Sequence, residues 1–108
     1  MADDVLKKLK ETIATRRAAT GDVSYTRQLL DGGAEKCAKK FAEEAAETVI
    51  AAVSQDEAAL TGEAADLLYH LLVLLEVRQV SLDDVLKEIE RRMGTSGLAE
   101  KASRKRES

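Results

Sequence analysis

Two acidic steps, Glu44-x-x-Glu47 and Glu63-x-x-Asp66, stand fifteen residues apart and constrain the fold more than anything else in the chain. Residues three apart on an α-helix share a face, so each step aims two carboxylates in one direction. Two such helices packed antiparallel bring four acids to one spot. Like-charge repulsion makes that costly unless cations sit among the oxygens, so the pattern points to a magnesium site more than to a structural device.

The surrounding sequence is written for helix. Proline is absent, aromatics make up 3% of the residues, and Ala, Leu, Glu and Lys dominate, a composition that favours helix and offers no strand signal. With 108 residues, 44% of them hydrophobic, the chain fits one small domain. Val5, Leu6, Leu9 and Ile13 recur at helical spacing and predict a first helix from about Asp3 to Ala19. Gly21 and Asp22 break it, and Ser24 can cap a short helix through Tyr25, Leu29 and Leu30 that stops at Gly32 and Gly33.

A long helix is expected from about Ala34 to Val53, with Ala42, Ala45, Ala46, Val49, Ile50 and Val53 as its core-facing stripe and Glu43, Glu44 and Glu47 in another sector. After the turn Ser54-Gln55-Asp56, Asp56 caps a helix from about Glu57 to Arg78. The two form an antiparallel hairpin. Ser81, with Asp84 three residues on, begins a last helix that ends near Met93. The fold class is therefore all-α, a bundle of four to five helices over residues 1–93, followed by a Gly/Ser/Lys/Arg-rich tail over residues 94–108 that is too polar to order itself without substrate. Leu67, Leu68, Tyr69, Leu71, Leu72, Val73, Leu74 and Leu75 make the third long helix apolar almost all round, which predicts a homodimer packed on it.

The net charge of -3 is too small to argue for nucleic-acid binding or attraction to a membrane. The single cysteine, Cys37, cannot form an internal disulfide and fits a reducing compartment, so a cytoplasmic protein is expected. The longest oily stretch, Leu67 to Leu75, falls short of the roughly 20 residues of a membrane span.

Acidic residues on a helix are ordinarily a solvated face laced with ion pairs, and Lys39 with Glu43 and Lys40 with Glu44 fit that description. Two details count against it. The lysines lie N-terminal to the glutamates, the less favourable order, and Glu63-x-x-Asp66 has no basic neighbour and runs straight into the apolar segment. An all-oxygen ligand set suits Mg2+, with Mn2+ a possible substitute, whereas di-iron bundles use Glu-x-x-His. His70, one turn beyond Asp66, reads first as a helix histidine bonded to that residue, with orientation of a ligand as the sharper alternative. Magnesium held by few carboxylates leaves room for substrate phosphate, and Lys36 and Lys40, on the side of Glu43 and Glu47, can bind phosphate oxygens. Cys37 has no activating partner in sequence.

The segment Ser24-Tyr25-Thr26, the run from Lys39 to Glu47, the stretch from Glu63 to Leu72, and Gly94-Thr95-Ser96-Gly97 with Glu100 to Arg104 together resemble the phosphoribosyl-ATP pyrophosphohydrolases of histidine biosynthesis. The acidic pattern alone is shared with the wider all-α nucleoside triphosphate pyrophosphohydrolase superfamily, MazG-type enzymes included. The resemblance implies Mg2+-dependent hydrolysis of phosphoribosyl-ATP between its α and β phosphates by a helical dimer of the monofunctional form. It also implies metal ligands at Glu44, Glu47, Glu63 and Asp66, with Glu43 as a further ligand or a base. Substrate contacts then fall to Lys36, Lys40, Tyr25, Thr26 and the tail residues Thr95, Ser96, Lys101 and Arg104, which could close over phosphates as a lid. The alternatives are a house-cleaning nucleotide pyrophosphohydrolase and a non-catalytic dimerisation module.

Overall fold

A computed structural model describes residues 2–18 and 24–94. Its element order is α1 (Ala2–Ala18), α2 (Tyr25–Asp31), α3 (Gly33–Ser54), α4 (Glu57–Val77) and α5 (Leu82–Met93), with no strand among the described residues. The expected tail, with Thr95, Ser96, Lys101 and Arg104, lies outside the described residues.

The helix starts are set by the side chains that the sequence supplies. Ser24 Oγ accepts from the Arg27 amide at 3.2 Å, Asp56 Oδ1 from the Ala59 amide at 2.9 Å and Ser81 Oγ from the Asp83 amide at 3.1 Å, each satisfying a donor that the first helical turn leaves open. The break between α2 and α3 is only Gly32 wide. Gly33 has φ +84°, in the left-handed region that favours glycine. At Gly32 a Cβ would meet the stem of Lys36, an exposed side chain that would have to swing aside.

The end of α4 is a Schellman arrangement built without glycine. The Val80 amide donates to the Leu75 carbonyl at 2.9 Å and the Gln79 amide to that of Glu76 at 3.0 Å, while Gln79 carries φ +56°. A left-handed non-glycine residue costs ~1–2 kcal/mol, and the extra freedom of glycine in the unfolded chain takes back part of that. Gln79→Gly is therefore expected to stabilise the protein by about 0.5–1 kcal/mol, seen as a higher urea midpoint at unchanged slope.

One core holds the bundle together. Ile13 of α1, Leu29 and Leu30 of α2, Cys37 of α3, Leu72 and Val73 of α4 and Leu82 of α5 are buried in one cluster, with Leu6, Leu9, Leu74, Leu75 and Leu86 packed on it. Cys37 belongs to it as a small hydrophobe; its thiol donates to the Leu29 carbonyl at 3.2 Å, and burial pushes its pKa up. Arg27 closes the C-terminus of α1 by donating to the carbonyls of Arg16 (3.3 Å) and Arg17 (3.2 Å), while pairing with Asp31 at 2.9 Å.

One expectation about apolar faces needs correction. The stripe assigned to the core of α3 faces outward in this chain: Val49, Ile50 and Val53 are 61%, 51% and 79% exposed, and only Ala51 at that end is buried. The hydrophobic period locates an apolar face but not its partner, and α4 packs on the neighbouring sector, the one that carries Glu44 and Thr48. Helices α1, α2 and α3 all pack on α4, which buries His70, Leu72 and Val73 and leaves the rest of the helix half-buried or exposed. Of its apolar run, only Leu68 is among the exposed large side chains. Helix α4 is also longer in apolar character than the leucine run alone implies. By length and composition this 21-residue helix could cross a membrane, with a mean hydropathy of 1.4 over an 18-residue window, since the alanines before Asp66 extend the apolar stretch. The same helix forms the centre of the bundle.

Candidate active site

The packing of α3 on α4 brings three of the predicted acids together. Glu44 comes from α3, Glu63 and Asp66 from α4, and one carboxylate oxygen from each lies within 4.8 Å of the others. The Oε2 atoms of Glu44 and Glu63 are buried and have no hydrogen-bond partner. An ionised carboxylate oxygen cut off from water without a donor is strongly disfavoured, so this spot draws either a proton or a cation. The donor set is anionic and all oxygen, which is what Mg2+ or Mn2+ takes, and these residues could hold such an ion.

The remaining predicted acids sit differently. Glu47 is exposed and outside the triad, yet its carboxyl adjoins those of Glu44 and Glu63. Glu43 faces solvent and pairs with Lys40 at 3.4 Å. The expected partner of Lys40 was Glu44, one residue further on; the i, i+3 pair forms because Glu44 turns inward to α4. Lys40 remains close to the site, with its pKa raised by the bond to Glu43 and by the nearby Tyr25 and Glu44. Lys36 is exposed one turn before it, its stem across Gly32.

Electrostatics register the crowding. The pKa of Glu44 is raised by burial first and then by Glu47, partly offset by His70; that of Glu63 is raised by burial and then by Glu47, Glu44 and Asp66. A carboxyl whose folded pKa exceeds its unfolded value binds more protons when folded, so its contribution to stability is complete below the ordinary value of 4.5 and is lost as pH rises through the folded value. Glu88 has the opposite sign. Arg91 and Arg92 hold it at about 2, so its contribution is present above 4.5 and fades toward pH 2. Thermal melts in chelator are thus expected to show stability declining from pH 4.5 upward across the window set by Glu44 and Glu63, with Glu63→Gln reducing the slope.

A polar and aromatic wall flanks the carboxylates. His70, only 5% exposed, is bonded through Nδ1 to the main-chain carbonyl of Asp66 at 2.8 Å, not to its carboxylate. A carbonyl only accepts, so a proton sits on Nδ1, while Nε2 lies within hydrogen-bond distance of the Tyr25 hydroxyl at 3.2 Å. Tyr25 stacks on Tyr69 with centroids 6.4 Å apart, and Thr26 and Tyr69 hydrogen-bond through their hydroxyls. Burial raises the Tyr69 pKa. Of the two predicted contact residues, Thr26 is thus engaged within the chain, while Tyr25 keeps half its surface open.

Sequence inspection missed Thr48 and Tyr69. Thr48 Oγ1 lies 2.8 Å from the carbonyl of Glu44 and 3.2 Å from that of Glu63. A threonine one turn after a candidate ligand was the available signal, and it is a weak one.

An all-α bundle in which two adjoining helices close on a carboxylate triad is thereby defined. The family model described as phosphoribosyl-ATP pyrophosphohydrolase matches residues 6–93, and the chain belongs to that family. It is accordingly an enzyme, a hydrolase. Among curated relatives, phosphoribosyl-ATP pyrophosphatase of Dinoroseobacter shibae is 59% identical over 93% of this chain and 98% of its own length. Phosphoribosyl-ATP pyrophosphatase 1 of Bradyrhizobium diazoefficiens is 62% identical over 90% of this chain and 92% of its own. The Cereibacter sphaeroides phosphoribosyl-ATP pyrophosphatase is 56% identical over 93% and 97% respectively.

Proposed function

We propose that this protein hydrolyses the α–β phosphoanhydride of phosphoribosyl-ATP to phosphoribosyl-AMP and pyrophosphate in a Mg2+-dependent reaction, the second step of histidine biosynthesis, as a cytoplasmic homodimer. The observation that carries the reading is the pair of buried, unpartnered oxygens on Glu44 and Glu63, within a chain of this family.

In this reading Glu44, Glu63 and Asp66, with Glu47 beside them, hold the cation across the antiparallel α3–α4 hairpin. Bound there, the cation neutralises phosphate charge and lowers the pKa of water. The chain's own residues do the rest. Water adds to a phosphorus flanking the α–β bridge, its proton passing to a carboxylate such as Glu43 or Glu47, and the bridging oxygen leaves with the other product. Lys40 and Lys36 stand where they can balance charge on departing pyrophosphate. No covalent nucleophile is needed, which agrees with the buried position of Cys37. Tyr25, half exposed and anchored through His70, offers an aromatic face to the substrate's base, next to Thr26. The tail residues Thr95, Ser96, Lys101 and Arg104 belong to the same proposal as phosphate contacts.

The test is a product assay with Mg2+, comparing phosphoribosyl-ATP, dCTP and dUTP. Equimolar phosphoribosyl-AMP and pyrophosphate, with kcat/KM for phosphoribosyl-ATP far above the other two, is the expected result. Stepwise orthophosphate release, or a preference for either deoxynucleotide, overturns it.

A further inference from the structure

Several helical hydroxyls in this chain bond to the carbonyl one turn back in their own helix: Thr12 to Lys8, Thr15 to Glu11, Ser54 to Ile50 and Thr61 to Glu57, at 2.8–2.9 Å. Such bonds are local and say nothing of the tertiary structure. Thr48 departs from the pattern because, besides the Glu44 carbonyl at 2.8 Å, its Oγ1 reaches the Glu63 carbonyl on the facing helix at 3.2 Å. The two residues it touches through their main chains are the two whose carboxylate Oε2 atoms are buried without a partner.

The geometry points to Thr48 as a positioning residue: its single hydroxyl proton, shared between the carbonyls of Glu44 and Glu63, fixes the level at which α3 and α4 present those two carboxylates to one another. Two helices joined by a short turn can slide along their common axis, and apolar packing tolerates small shifts because it has no direction. A hydrogen bond does have one. The need for it is local, since one carboxylate oxygen from each of Glu44, Glu63 and Asp66 lies within 4.8 Å of the others and their like charges would drive the helices out of level if nothing tied the main chains. The bond costs the site no ligand, because it uses carbonyl lone pairs and leaves the carboxylate oxygens free. The two alternative roles for a half-buried threonine are a methyl packed between helices and a purely local back-bond. Valine keeps the shape and removes the hydroxyl, while serine keeps the hydroxyl and removes the methyl.

This inference rests on the cation-binding reading of the triad and is tested on the full-length protein with Mn2+ alone. Mn2+ affinity is measured by isothermal titration and by electron paramagnetic resonance of the free ion, alongside melting temperatures in chelator. Thr48→Val is expected to weaken Mn2+ binding about tenfold, the order typical for loss of a group that orients ligands, without lowering the melting temperature in chelator by more than a few degrees. Thr48→Ser is expected to stay within about twofold of the parent. Equal binding by parent and Thr48→Val overturns the positioning role alone, as does equal weakening in both variants, which assigns the effect to the packing of the side chain as a whole. A parent that binds no Mn2+ at all overturns the cation reading itself and this inference with it. Should Thr48→Val not fold, Thr48→Ala is compared with Thr48→Ser by the same measurements and the same criteria.

Discussion

Glu63→Gln is expected to lower kcat/KM for phosphoribosyl-ATP at least about a thousandfold while leaving the helical fold intact. Glutamine keeps the shape of the side chain but removes the charge that the proposed cation needs at a position whose Oε2 has no other partner. Stability should move in opposite directions depending on the solution. In chelator the variant melts above the parent, because a carboxylate crowded by Glu47, Glu44 and Asp66 has become neutral. In saturating Mg2+ the order reverses, since only the parent gains binding energy from the ion. Steady-state kinetics and paired melts check both statements. A variant that turns over at the parental rate, or that melts lower in chelator, counts against the charge-crowded site.

Assembly gives the second large effect. Val49, Ile50 and Val53 expose a three-residue apolar sector of α3 that nothing among the described residues covers, and a homodimer interface placed there would bury it against a second copy. Each Val or Ile so buried contributes ~1.5–3 kcal/mol. The double variant Ile50→Asp, Val53→Asp removes two of them and puts charge in their place, so the dimer dissociation constant is expected to rise at least about a hundredfold. Circular dichroism should be unchanged, because neither side chain belongs to the core around Ile13, Leu29 and Val73. Sedimentation velocity at micromolar concentration decides the matter. A parent that sediments as a monomer removes the interface, and a variant that stays dimeric moves it elsewhere.

Both expectations depend on a distinction between what helical sequence patterns encode and what they leave open. Caps are chemistry between near neighbours, so Ser24, Asp56 and Ser81 place helix starts within a residue of where they occur. Stops are harder. Gln79 adopts a conformation that glycine ordinarily takes, and its neighbours carry no mark of it. The stop of α2 at Gly32 was legible in its glycines, whereas the closure of α1 by Arg27 depends on a residue of the next helix.

The candidate site divides in the same way. That Glu44, Glu63 and Asp66 would meet follows from spacing, because a three-residue step fixes direction on a helix and the short turn at Gln55 and Asp56 leaves the next helix little choice but to pack alongside. The step could not say that Glu43 would turn outward to Lys40, that Glu47 would stand beside the triad, or that His70 would hold the main chain of Asp66 and not its carboxylate.

The order of residues by itself determined the helices, their caps and the two acidic faces, since each is settled by contacts within a few positions of the chain. Only the tertiary structure decided which sector of α3 turned toward α4. The apolar stripe and the acidic stripe competed for that place. Packing against α4 half-buried Glu44 and Thr48 there and left Val49, Ile50 and Val53 exposed, because burial depends on what a neighbouring helix offers and not on hydrophobicity alone.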